Sequence, residues 1–452
     1  MAALVASPET PLAEQRAKQV TRIVFIALLL DILAFTIILP LLPRSLEAYK
    51  QREGADPSTL LGSTLARVGH LRTMLNSTRF LQDPRADIVL LGGLLGSLYS
   101  LLQCLVAPVI GRLADRWGRR RTLLLCMAGN LVWTIVWVFA GRFETFLVAR
   151  IIAGLSEGNV QLSNTIIADV TGRTTRSRGM ALVGIAFAVG FTVGPSIGAF
   201  FAHVLEPSRD WAPFVPAALF SLMLLAIETA YLFAKLPETQ KPPAAATTQA
   251  PQRPSILRRL NYLHFLYLFF FSGMEYTLTF LTHDRFDFTN MQQGRLLGFI
   301  GIVSTVIQGG YVRRFQGDRR MVAQGMVGCA LGLFAIAVCC FNSTRRDGST
   351  VWLWGGSLGL ALASATVVSC LNSIVSLVAG SANETGRRLG DFRSAGQFGR
   401  AFGPVFACSV YWLAGPTTCY AVGAIAVSLI AVAFVSIVPR DFASAEPRQK
   451  TD

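Results

Sequence analysis

Twelve stretches of predominantly apolar residues follow one another along the chain: 22–43, 87–109, 122–140, 146–168, 180–202, 213–235, 261–282, 296–312, 321–341, 351–379, 394–413 and 417–438. Each is close to the roughly 20 residues that cross a bilayer as a helix. The pattern predicts an all-α membrane protein of twelve transmembrane helices. The first 20 residues are polar, and the first apolar run ends in prolines rather than at a small-residue cleavage site, so no cleavable leader is expected.

The segment KLPETQKPPAAATTQAPQRPSILRR (235–259) interrupts the series. Its Pro, Ala and Thr content cannot build a core, and its basic ends favour the cytosol. The spans are thereby divided into two six-helix bundles, 22–235 and 261–438, joined by a cytosolic linker (236–260) and flanked by tails 1–21 and 439–452. Six plus six spans around a flexible middle is the arrangement of a transporter built from two repeats about a midplane site.

Composition excludes a soluble enzyme: 52% of the residues are hydrophobic, only 15% are charged, and the mean hydropathy is +0.49. The net charge of +15 would suggest nucleic acid in a soluble protein. Here it reads as topology, and no nucleic acid is expected. With both termini cytosolic, that side carries 26 Lys and Arg against 13 opposite, seven of them in the long 44–86 loop. On that extracytosolic side, Asn76 and Asn342 are the expected glycosylation acceptors; the Asn383 sequon falls on the cytosolic side.

The eight cysteines lie in or at the ends of apolar runs, without CxxC or Cys/His ligand spacing. Neither a metal nor another cofactor is expected. No Walker pattern supports ATP-driven pumping.

Six ionisable residues fall inside the spans: Asp31, Arg150, Glu157, Glu228, Glu275 and Arg400. Each costs about 2.5–3.5 kcal/mol or more near the bilayer centre, so each must face a protein-lined or wet cavity. Asp31 lies about 14 Å into span one, near the midplane. It is either the proton-coupling site or one arm of a fixed salt bridge. Arg150 and Glu157, seven residues apart, would share one stripe of span four. Arg150 suits bidentate contact with a carboxylate or sulfonate, or tuning of Asp31. Glu275 is the second-half candidate for coupling, with His264 three turns earlier as a packing residue or a relay. Arg400 would contact substrate or anchor an inner gate, and Glu228 would be solvated or paired at the cytosolic end of span six.

Two motifs stand out: GRLADRWGRRRTLL (111–124), between spans two and three, and GFTVGPSIGAF (190–200) in span five, with Gly190, Gly194, Pro195 and Gly198 at helical spacing. The first resembles the loop pattern of the major facilitator superfamily at Gly111, Leu113, Asp115, Arg116, Gly118, Arg119 and Arg120. The second resembles that superfamily's antiporter element. LLLDILAFTIILPLLP (28–43) and RIIAG (150–154) are similar to features of its drug:proton antiporters, including the bacterial tetracycline exporters, and LPET (236–239) resembles a common feature of the superfamily. The segments 158–170, 269–294 and 409–415 resemble an animal tetracycline-transporter-like branch.

The resemblance implies a cytosolic gate. Asp115 would face the N-terminus of span eleven and Arg119 would pair with Asp169, holding the gate shut when the carrier opens outward. The second-half counterpart GYVRRFQGDRR (310–320) is basic but has lost the pattern. The resemblance further implies a monomeric secondary transporter of amphiphilic organic solutes, organic anions in particular, exchanged for protons. It would reside in the plasma membrane or an intracellular, including nuclear, membrane. A uniporter or symporter, or a receptor or scaffold that kept the fold, is the alternative.

Overall fold

A computed structural model of the chain describes residues 11–39, 41–74, 86–172, 175–204, 214–240, 254–314, 317–341, 346–379 and 384–438. Among these residues all regular structure is helical. In chain order the helices are α1 Pro11–Thr36, α2 Leu42–Glu53, α3 Leu60–Met74, α4 Ala86–Trp117, α5 Arg119–Val138, α6 Phe143–Ser156, α7 Asn159–Val170 and α8 Arg176–Val204. They continue with α9 Val215–Lys235, α10 Pro254–Phe286, α11 Asn290–Ile307 (extended by a π turn, Gln308–Val312), α12 Asp318–Phe341, α13 Arg346–Val378, α14 Thr385–Ala414 and α15 Pro416–Ile437. We call inner the face that carries the loops predicted to be cytosolic.

Ten of these segments are long and apolar enough to cross a membrane unaided. The other two crossings are made by α6 with α7 and by α14. Span four breaks at Glu157 and Gly158, where Glu157 leaves the helix at φ −74°, ψ 83°. The continuous stripe expected for Arg150 and Glu157 is therefore interrupted. Gly158 lies against Cys126 and Ile110, where a side chain would not fit. Helix α14 begins at Thr385 rather than at 394, because its first turns, TGRRLGDFR, are helical despite being polar.

Two further boundaries differ from expectation. Span one stops at Thr36, not 43, and after a short turn the chain enters α2. There Leu46, Tyr49 and Leu61 pack with Trp137, Phe146 and Phe214, and the Tyr49 hydroxyl donates to Ala140 O at 2.5 Å. The expected 111–121 loop is almost entirely helix, so Gly111, Asp115 and Arg116 lie on the last turns of α4. Gly118 alone makes the break, at φ 98°, a conformation that only glycine adopts without strain.

Helices α1 to α9 enclose two apolar cores, around Leu28, Met127 and Ile166 and around Tyr49, Trp133 and Trp137. Helices α10 to α15 enclose another, to which Ala181 of α8 contributes. The two sets meet where α4 lies along α14 and where α8 lies along α11 and α13. Without a hydrophobic drive between helices in lipid, close approach depends on small residues. Gly111 rests on the Gly386 carbonyl, and Gly190 and Gly194 rest on Ile32 and Thr36 of α1. Gly198 is buried on the same helix and Pro195 is half-buried.

Gly194→Leu is expected to destabilise this packing. Its Cβ would fall on the Thr36 hydroxyl, which donates to Ile32 O at 2.7 Å and Gly190 O at 3.0 Å. Overpacking of this kind costs about 1–3 kcal/mol. A heated, detergent-solubilised sample should therefore lose its monodisperse peak at a lower temperature than the parent. An unchanged profile would mean that the α1–α8 contact yields.

Candidate functional site

At the inner face one buried cation organises the junction of α4, α5 and α7. Arg119 donates from Nε to Asp169 Oδ2 (2.7 Å) and from Nη1 to Asp115 Oδ1 (2.9 Å) and Ala114 O (2.9 Å), with its side chain 1% exposed. The carboxylate of Asp115 also accepts from the backbone N–H of Gly386 (3.0 Å) and Arg387 (2.8 Å). These are unsatisfied donors in the first turn of α14, where a negative charge is favoured. One carboxylate thus ties α4 to α14 of the other half. Gln161 of α7 reinforces the seam by donating to Ala107 O at 3.0 Å, beside Gly390 of α14. Arg116 is exposed on α4 and takes no part.

Glu238 of the LPET segment caps α5, accepting from Arg119 N (2.9 Å) and Arg120 N (3.2 Å), and Gln240 donates to Asp115 O (2.5 Å). The start of the linker is thereby bound into the same cluster.

The second-half counterpart keeps more than its sequence suggests. Gly317 (φ 145°) precedes α12 as Gly118 precedes α5. Two residues after each glycine an arginine reaches the end of the last helix of its own half. Arg120 donates to Phe233 O at 2.6 Å, and Arg319 donates to Val435 O at 2.8 Å and Val438 O at 2.5 Å. Asp318 sits beside Ser177 and Arg176 of α8 and Ser373 of α13, so this loop also touches the opposite half. The repeat survives in geometry where the residue pattern has drifted.

Toward the membrane centre the ionisable residues are gathered but sparsely paired. Asp31 on α1 is 5% exposed and accepts from Asn130 Nδ2 at 3.5 Å, with Asn159 adjacent. The break in span four turns Glu157 toward α4 and α14: Tyr99 OH donates to Glu157 Oε2 (3.3 Å), and Arg393 Nη2 stands 3.9 Å from Oε1. Arg393 also donates to Gln103 Oε1 at 3.0 Å. Arg150 is 7% exposed, with its guanidinium 5.4 Å from the centre of the Phe146 ring, and Tyr99 is stacked on Phe35 (5.6 Å). Glu228 is 1% exposed, with Oε2 lacking a hydrogen-bond partner among the described residues, so of the two expected placements, solvated or paired, the solvated one does not hold.

On the second-half side Arg393, Gln397, Arg400 and Pro404 share one stripe of α14, opposite the exposed Phe398, Phe402 and Val405. Arg400 and Glu275 of α10 are both exposed, and the charge of Arg400 reaches Glu275. His264 is buried and stacked on Phe392 with ring centres 3.9 Å apart, which is a packing contact. None of the ion pairs between described residues includes Asp31, Arg150, Glu275 or Arg400.

Sequence reasoning missed Arg393, which it assigned to a loop. Its seven-residue spacing from Arg400 was the available signal. Tyr99, Gln103, Asn130 and Asn159 carried none, being uncharged and individually unremarked. Asn76, Asn342, Asn383 and linker residues 241–253 lie outside the described residues.

Two sets of membrane helices, with charges gathered between them and an ion-paired seam at one end, are the arrangement of a membrane transporter. The chain belongs to the Major Facilitator Superfamily, whose family model matches residues 24–404. It is 39% identical to human "Major facilitator superfamily domain-containing protein 10" over 444 residues, 92% of each chain. It also resembles the crystal structure of the human organic anion transporter MFSD10 (TETRAN), with a TM-score of 0.82 and 36% identity over 92% of this chain and 99% of that one. The class E tetracycline resistance protein of Escherichia coli is 26% identical over 252 residues, 54% of this chain and 62% of that protein. The protein is a multi-pass membrane transporter, not an enzyme.

Proposed function

We propose that this transporter moves amphiphilic organic anions by alternating access, in exchange for protons. The observation that carries the anion assignment is Arg150, a buried guanidinium with no carboxylate partner among the described residues. An arginine held this way costs free energy in an apolar setting unless an anion visits it. Tyr99, stacked on Phe35, offers an apolar wall beside it for the rest of a drug-sized molecule. Arg400 and Arg393 face the same interior from the second half. The likeness to a human organic anion transporter and to tetracycline resistance proteins supports the reading.

In this reading Asp31 carries the exchanged proton, with Glu157 and Glu275 as neighbouring acids of the cavity. The bundles 22–235 and 261–438 rock about the site, while both tails and the 236–260 linker stay on the cytosolic side. Asp115, Arg119 and Asp169 hold the inner gate, and the α8 glycines with Pro195 supply a close, pliable contact. The carrier works as a monomer.

The test is uptake of a carboxylate dye such as fluorescein into proteoliposomes. Arg150→Gln is expected to raise KM about tenfold, the worth of one charge-assisted hydrogen bond. An unchanged KM would remove Arg150 from substrate contact. Failure of the parent protein to accumulate the dye under an imposed pH gradient would instead favour a uniporter.

A further inference from the structure

Two amides flank Asp31, and each uses only half of its bonding capacity. Asn130 of α5 is 2% exposed and donates from Nδ2 to Asp31 Oδ1 at 3.5 Å. Its own Oδ1 is buried without a hydrogen-bond partner among the described residues. Asn159 of α7 is 1% exposed, and its Oδ1 is likewise buried and unmet. Beside the Asp31 carboxylate, its Nδ2 donates to Met127 Sδ at 3.3 Å, a weak acceptor. The break in span four makes Asn159 the first residue of α7, directly after Glu157 and Gly158.

Buried polar atoms are nearly always paired, so two unmet amide oxygens at one carboxylate call for a donor that is present only part of the time. A proton on Asp31 is such a donor. An ionised carboxylate only accepts, but once protonated it has an O–H to give. An amide meets both forms, since a half-turn about its last side-chain bond exchanges its nitrogen for its oxygen. An arginine or lysine in the same place would serve only the ionised form, and an apolar residue neither. The other groups around Asp31 leave this task to the amides. Glu157 at the span-four break and Glu228 of α9 are acids themselves, and Arg393 of α14 spends its Nη2 on Gln103 Oε1. Helix α8 meets α1 here with Gly190 and Gly194.

We propose that Asn130 and Asn159 are positioning residues of the proton step: they donate to Asp31 when it is ionised and accept from it when it is protonated. Resting on Asp31 as the proton site of the exchange proposed above, this arrangement lets a carboxylate change charge in a buried place without stranding either form.

The test reads the proton on Asp31 directly, by infrared difference spectroscopy of the purified full-length protein across a pH titration. The band of the protonated carboxyl is the one that Asp31→Asn removes. Asn130→Leu is nearly isosteric and takes away donor and acceptor together. The ionised form loses more, because a hydrogen bond to a charge is the stronger. The midpoint should therefore rise by about one pH unit, a gain of about tenfold in proton affinity. The C=O band should also move to the higher frequency of a carboxyl that no longer donates. Asn159→Leu should act in the same direction, and Asn130→Gln, which keeps an amide, should stay nearer the parent midpoint. Substrate counterflow without a pH gradient should persist in all three. The parent midpoint and band position in both leucine variants would overturn the assignment, as would an Asp31 carboxyl that does not titrate in the parent. A parent that titrates and responds in this way, yet fails to accumulate dye under a pH gradient, would remove the exchange and leave the role of the amides standing.

Discussion

Asp31→Asn is expected to abolish pH-gradient-driven accumulation of an organic anion, by about 100-fold or more, the scale of losing a proton-transfer group. Asparagine keeps the size of the side chain and its contact with Asn130 but cannot take up and release a proton. The carboxylate is buried, has amides rather than an arginine within hydrogen-bonding distance, and belongs to no ion pair among the described residues. It therefore has no fixed cation that must be given up whenever a proton arrives. Substrate counterflow without a gradient should persist in the variant, because Arg150 is untouched. Accumulation by Asp31→Asn at the parent rate would show that the proton is carried elsewhere, with Glu275 the next residue to test. Loss of both accumulation and counterflow would mean that Asp31 serves substrate binding rather than coupling.

Arg119→Met is expected to have the second large effect, on the gate. Arg119 is fully enclosed and joins two carboxylates of different helices, Asp115 of α4 and Asp169 of α7. Removing one partner of a buried ion pair costs about 3–5 kcal/mol, because the remaining charges stay unpaired in a poor solvent. Asp115 is also the group that caps α14, so the loss falls on the state in which the inner seam is closed. A shift of that size changes the ratio of closed to open inner gate by more than about 100-fold. Spin labels on the inner ends of α4 and α14 would report it as a longer distance. Arg119→Lys should not restore the short distance, since an ammonium lacks the planar fork that reaches both carboxylates. Unchanged distance distributions in both variants would reduce this cluster to a packing element.

Much of the site could be read from residues. Asp31, Arg150, Glu275 and Arg400 stand out because a charge in an apolar run is conspicuous anywhere. Asp115, Arg119 and Asp169 were legible only through a family pattern, and the structure brings the three within hydrogen-bonding distance. Arg393 was hidden because a polar run at a helix end looks like a loop, although α14 stays helical through it. The stripe expected to join Arg150 to Glu157 assumed an unbroken helix. The signal for the break was the polar run Ser156-Glu157-Gly158-Asn159, a glycine among polar residues in the middle of an otherwise apolar segment.

Hydropathy alone determined how many times this chain crosses the bilayer, and the scatter of Lys and Arg set its expected orientation. Both are sums over local residues, since each side chain's transfer free energy counts wherever its helix later packs. Only the tertiary structure decided which charges meet. That depends on the depth and rotation of helices far apart in the chain, as when Arg393 of α14 finds Gln103 of α4 or Tyr99 finds Glu157.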